Sequence, residues 1–272
     1  MTENETHRDE HRTFDAFLPA EMAQRAEEVG VKKANMPFDK LFVLAILAGA
    51  FIALGAIFST TVTAGLGATP YGIGRLLAGL TFSLGLILVV VAGAELFTGN
   101  NLVVMAFASG KVSLKRFLLG WLVVYVGNFV GAFATAVLIH LTPYLRGGDR
   151  AVELNALNIA IAKCSIHPIE AFFSGVLCNA LVCLAVWLCF SCRTTTDKIL
   201  AIVLPIAAFV AAGFEHCVAN MYFVPLGILM NDTPLSHAAE LYDLPADTLA
   251  LLNWQTFITI NLIPVTRNLV QK

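Results

Sequence analysis

Two apolar stretches in this chain are too long to be single membrane helices. The stretch from Leu76 to Ala108 holds one ionisable residue, Glu95, and the stretch from Ile199 to Met230 holds Glu215 and His216. At roughly 1.5 Å per residue each would measure about 50 Å as a straight helix. A bilayer core is about 30 Å thick, and tilt absorbs only a few extra turns. Each stretch has a weak point near its middle: Gly93-Ala-Glu-Leu-Phe-Thr-Gly-Asn100 in the first and Gly213-Phe-Glu-His-Cys-Val-Ala-Asn220 in the second. Both are therefore expected to be broken helices. Non-helical backbone is tolerated at membrane depth only where protein covers it or it lines a watery cavity, so both breaks should face a pathway.

The rest of the chain agrees with a membrane setting. Only 13% of its residues are charged, about half of what a soluble domain carries. A net charge of -2 gives no footprint for nucleic acid. Four more apolar runs stand at Leu41–Val62, Phe117–Leu141, Ile169–Cys192 and Trp254–Val270, the last one short. Arg25, Lys32, Lys33 and Lys40 precede the first run, and Lys111, Lys115, Arg116, Arg193, Lys198, Arg267 and Lys272 fall on the same side. The opposite loops hold only Arg75, Arg146, Arg150 and Lys163, which places both termini in the cytoplasm. The first forty residues are polar and contain no cleavable signal peptide. Within them Asp15 can cap a helix, Pro19 suits a helix start, and Phe14, Phe17, Leu18, Met22 and Val29 recur at helical spacing before Gly30. A short amphipathic helix on the membrane face or against a neighbouring subunit fits that pattern, and so does a plain solvated cap.

The two weak points share the spacing G-x-E-x4-N and lie 120 positions apart. A Gly-bearing run precedes each (Gly49, Gly175) and an Asn-bearing segment follows each (Asn128, Asn268). Each half thus holds three spans, and an odd number turns the second half upside down in the bilayer. The expected fold is an all-α membrane protein of six transmembrane helices, an inverted repeat of three plus three with helices two and five broken. Residues 1–40 form the cytoplasmic N-terminal segment, 41–141 the first repeat, 142–168 a periplasmic connection and 169–272 the second repeat.

Within the breaks, His216 is the first candidate for function, because an ionisable residue inside a span is costly and histidine changes charge near neutral pH. A neutral core histidine is the competing account. Glu95 and Glu215 are best placed to accept hydrogen bonds from the free N–H groups of the half-helices, a structural role. Asn100 and Asn220 can tie the breaks together, and Asn220 can also reach the pore. Among six cysteines only Cys189 and Cys192 are close, with no second pair or histidine at zinc-like spacing. No metal and no cofactor are expected.

At these residues the sequence resembles the formate/nitrite transporter family. The likeness covers nearly the whole chain and rests on several strings. In the second span these are Ser83-Leu-Gly-Leu-Ile and Gly93-Ala-Glu-Leu-Phe-Thr-Gly, and in the fourth Asn179-x-x-Val-Cys-Leu-Ala-Val-Trp187. The fifth carries Ala212-Gly-Phe-Glu-His-Cys-Val-Ala-Asn-Met221 and the sixth Asn261-Leu-Ile-Pro-Val-Thr266. The resemblance implies an aquaporin-like protomer, a homopentamer with one anion pathway per subunit, and no enzymatic step. It implies that His216 sits at the pore centre with Thr98 and Asn179 as polar neighbours, and that Lys163 lines the periplasmic mouth. It further implies two apolar constrictions built from Phe82, Leu86, Leu96, Phe97, Val182 and Phe209. The expected cargo is a small monovalent anion, formate first, carried through the inner membrane either passively or with proton coupling through the central histidine. Nitrite and hydrosulfide are the alternatives within the family. A neutral-solute channel and a membrane redox subunit are the distant ones. Where the family pattern runs on after Pro-Val-Thr, this chain reads Arg267-Asn-Leu-Val-Gln-Lys272, so the sixth helix is expected to be short.

Overall fold

In the computed structural model, which describes residues 16–231, 242 and 244–262, the chain is helical wherever it is regular. The first helix, α1 (Pro19–Ala34), is amphipathic. Three long apolar helices follow: α2 (Phe38–Val62), α3 (Tyr71–Ala92) and, after a 3-10 turn at Gly99–Val103 and the short α4 (Val104–Ala108), α5 (Leu114–His140). The second part runs through α6 (Ala151–Ser165), α7 (Pro168–Ser191), α8 (Thr195–Ala212) and α9 (Cys217–Asn231). It closes with two short helices, α10 (Ala246–Leu249) and α11 (Trp254–Thr256), and a π turn at Phe257–Leu262. Five of these helices, α2, α3, α5, α7 and α8, are long and apolar enough to cross a membrane.

Without a hydrophobic drive between helices in lipid, close packing depends on small side chains. The crossing of α2 and α5 shows this directly. A Cβ at Gly49 would overlap the Asn128 carbonyl, and one at Gly131 would overlap the Ile46 carbonyl, so these backbones meet with nothing between them. Large hydrophobics such as Leu119, Leu122, Leu138, Leu177 and Leu204 point outward, where a soluble protein would place charge. The buried layer instead carries Ala48, Ile52, Phe82, Leu96 and Ile206 alongside Ser83, Thr98, Asn128 and His216.

Both over-long stretches are interrupted where the composition weakens. The helix α3 stops at Ala92 and α8 at Ala212, each followed by a glycine in the left-handed region, Gly93 at φ 78° and Gly213 at φ 82°. That conformation is open to glycine and strained for other residues, and it ends a helix by turning its last carbonyls aside.

The N-terminal pattern and the connection turn out differently from their sequence reading. The helix α1 does not stop at Gly30 but continues to Ala34, because Gly30 is a packing position: a Cβ there would lie 3.0 Å from Ala106 Cβ. Its buried stripe is Met22, Ala26 and Gly30, and it packs on the chain's own 3-10 turn and α4. Its start is capped by Glu21, whose carboxylate accepts from the Leu18 N–H at 2.8 Å. Asp15, proposed as the cap, lies outside the described residues, as do Phe14 and Asn268. Lys111 donates to Glu27 at 2.8 Å across the docking surface and holds that carboxyl below the usual carboxylate range. The connection 142–168 is largely helix α6, whose Ala156, Leu157, Ala160 and Cys164 are buried. Of the sixth apolar run, the described part ends at Leu262.

Candidate functional site

The two breaks place their carboxylates by different means than backbone N–H capping. In the first, Glu95 Oε2 accepts from Lys33 Nζ at 2.8 Å and from Asn100 Nδ2 at 2.9 Å. Lys33 Nζ also donates to Asn100 Oδ1 at 2.7 Å, closing a triangle. In the second, Glu215 Oε1 accepts from Lys163 Nζ at 2.6 Å and Oε2 from Asn220 Nδ2 at 2.8 Å. The lysine in each case comes from a helix outside the broken pair, α1 or α6. Glutamates at these depths would be expensive as bare ions, and pairing with hydrogen bonds is what makes them tolerable.

The surrounding backbone is held by side chains. Asn128 of α5 accepts from the Phe97 N–H at 2.9 Å and donates to the Ala45 and Glu95 carbonyls at 2.8 and 2.9 Å. The Glu95 N–H finds Leu44 O at 3.1 Å. At the second break the Glu215 N–H donates to Ser174 Oγ at 2.9 Å. Asn220 also donates to Asn261 Oδ1 at 2.8 Å, and Asn220 Oδ1 and Asn261 Nδ2 are buried with no partner among the described residues.

Two cavities open from opposite ends of the helices. One, called the outer vestibule because the charge pattern of the loops puts this end outside the cell, has a volume of about 300 Å³ and reaches in past Ser59, Arg75, Asn155 and Lys163 to Phe82 and His216. An inner vestibule of about 270 Å³ reaches in past Arg25, Lys33 and Lys198 to Leu86 and Leu96. The residues at their blind ends form the partition. The Phe82 and Phe209 rings meet edge-on at 5.8 Å, and the Phe209 ring stacks on His216 at 5.7 Å. Leu86 and Leu96 are 2% and 1% exposed. Val182 is equally buried, one turn before Val186, which lines the inner vestibule.

Inside the partition His216 Nε2 lies 3.3 Å from Thr98 Oγ1. The Ala219 N–H points at His216 Nδ1 at 3.0 Å, so in the neutral ring that nitrogen is the acceptor and the proton sits on Nε2. His216 then donates to Thr98, and the Thr98 hydroxyl keeps its own proton for a third group.

Two predicted residues are not brought to this centre. Phe97 turns away, its ring 4.9 Å from Tyr125 and 5.6 Å from Trp121 of α5. Asn179 accepts from Asn101 Nδ2 at 3.1 Å and donates to Gly175 O. Both line a separate cavity of about 500 Å³ beside Leu262. Conversely, Lys33 and Arg75 entered the sequence reading only as loop charges. The repeat does not reveal Lys33, since it precedes Glu95 by 62 positions whereas Lys163 precedes Glu215 by 52.

A sequence model described as formate/nitrite transporter matches residues 20–269. The formate channel FocA of Escherichia coli (strain K12) is 44% identical over 253 residues, which is 93% of this chain and 89% of that protein. The formate channel FocA of Haemophilus influenzae is 39% identical over 251 residues, 92% of this chain and 88% of that one. Among solved structures, one titled pentameric formate channel with formate bound superposes with a TM-score of 0.78 at 44% identity. The match covers 84% of this chain and 90% of that chain.

Proposed function

The chain belongs to the formate/nitrite transporter family, and from that premise we propose that it is a formate pore, assembled as a homopentamer in the inner membrane with both termini cytoplasmic. It performs no chemical conversion. It spans the membrane six times, and each protomer carries its own pathway from the outer vestibule through the partition to the inner one. The observation that carries this reading is the buried His216–Thr98 pair at 3.3 Å, set between the Phe82–Phe209 and Leu86–Leu96 layers.

The physical logic follows from the cost of burying charge. A small carboxylate that leaves water loses its hydrogen bonds, and an apolar layer offers none in return. Formate is small enough to bridge such a layer and find a donor on the far side. The Thr98 hydroxyl, with its oxygen engaged by His216 Nε2–H, supplies that donor, and His216 Nε2–H is the second. Lys163 and Lys33, each paired to a glutamate, give the two mouths oriented dipoles. Phe97 and Asn179 hold the first break and α7 in place from the other side.

Formate flux into proteoliposomes tests this, with His216→Phe beside the unmodified chain and nitrite as a competing anion. The unmodified chain is expected to carry formate. The substitution keeps an aromatic ring, slightly larger than the imidazole, and removes the N–H, and should lower the rate roughly tenfold to a hundredfold, the worth of one hydrogen bond to a charged group. Undiminished flux in His216→Phe would remove His216 from the pathway.

A further inference from the structure

Lys163 is the residue the outer mouth would seem to use for attracting anions, but its charge is already spoken for by Glu215 at 2.6 Å. The pair sums to zero formal charge. Among the described residues no carboxylate lines the outer vestibule, and the remaining ionised group in its wall is Arg75 of α3. Among the described residues Arg75 has no carboxylate within ion-pair distance.

Its guanidinium is held instead by main-chain oxygens. Nε donates to Ala211 O at 3.2 Å and Nη2 to Val210 O, and the Tyr71 ring lies 6.0 Å beneath. Those carbonyls belong to the last turn of α8, which ends at Gly213. The exposed carbonyls of a helix C-terminus carry roughly half a negative charge, which would repel an anion approaching His216. One guanidinium more than offsets that, and among the described residues only two of its five N–H groups are engaged.

We propose that Arg75 supplies the net positive charge of the outer vestibule, cancelling the α8 terminus and concentrating small anions, formate first, above the Phe82–Phe209 constriction. This rests on the pore reading given above. Arg75 acts through local concentration and touches none of the central groups, so its signature is a change in apparent affinity rather than in the limiting rate.

The test is formate uptake by proteoliposomes at a series of formate concentrations. It compares the unmodified chain, Arg75→Gln and Arg75→Lys, each at low and at about 150 mM ionic strength set with potassium gluconate. Arg75→Gln should raise the apparent KM roughly threefold or more, the enrichment that one unit charge gives at about 7 Å in water. Its limiting rate should stay near that of the unmodified chain, and its salt dependence should flatten. Arg75→Lys should recover both affinity and salt dependence. An unchanged KM and salt slope in Arg75→Gln would overturn the proposal. So would a lowered limiting rate at constant KM that Arg75→Lys fails to rescue, which is what a purely structural cap predicts. If Arg75→Gln does not assemble, the unmodified chain decides the matter: uptake at low formate that does not fall with added salt refutes the proposal. No uptake of formate by the unmodified chain at any salt strikes the pore reading itself, and the Arg75 proposal falls with it.

Discussion

The two breaks answer the same physical problem with unequal completeness. At the first, Lys33, Glu95 and Asn100 form a closed ring of three hydrogen bonds, and Asn128 ties the adjacent backbone at three further points. At the second, Lys163 and Asn220 each bond Glu215, but Asn220 Oδ1 has no partner among the described residues and the backbone is held by Ser174. The difference teaches that the repeat conserves the chemistry of the break, a paired carboxylate after a left-handed glycine, without conserving the bracing around it. The first break is built for rigidity. The second has spare hydrogen-bonding capacity beside the histidine, at the end of α8 where the outer vestibule stops.

The largest expected effect comes from removing the carboxylates. Glu215→Ala strips Lys163 of its acceptor at a side chain 19% exposed, and should destabilise the assembled protein by about 3–5 kcal/mol. Glu95→Ala should do less, because Lys33 keeps Asn100 Oδ1. Thermal unfolding of the detergent-solubilised protein measures both, and an equal loss would mean that the closed ring contributes nothing of its own. Next in size is the bracing. Asn128→Ala orphans the Phe97 N–H and two carbonyls, for about 2–3 kcal/mol, whereas Ser174→Ala orphans one N–H, for about 1 kcal/mol. The same melts report the order, and a reversal would assign the tighter backbone to the second break. The smallest is at the glycines. Gly93→Ala and Gly213→Ala should each cost about 1 kcal/mol for the left-handed conformation. Gly213→Ala should cost slightly more, since its Cβ would sit 3.3 Å from Arg75 Nη2 while Gly93 has open space.

Much of this architecture could be read before any coordinates. Apolar length located the helices, and the excess length together with Gly93 and Gly213 located the interruptions. The sequence reading also singled out the two glutamates and His216, which the structure puts at the breaks and in the partition. What could not be read was direction. Leu96, Phe97 and Thr98 are consecutive on irregular backbone, where neither helical nor strand periodicity applies, and Phe97 leaves the pathway that its neighbours line. Lys33 was hidden because its role needs α1 folded beneath the first break, a contact between residues 62 positions apart. Asn179 looked like a partner for His216, but its Oδ1 is taken by Asn101, a residue with no signal of its own.

The hydrogen bond from the Ala219 amide to His216 Nδ1 has a consequence for proton movement. An imidazole conducts protons along a chain by taking one at one nitrogen and releasing another from the opposite nitrogen. At His216 one of the two terminals accepts from main chain. In this arrangement the ring meets a passing anion through Nε2 alone, and a relay between the two vestibules would first have to break the bond from the Ala219 amide. Proton coupling through the central histidine therefore carries the added cost of that one bond.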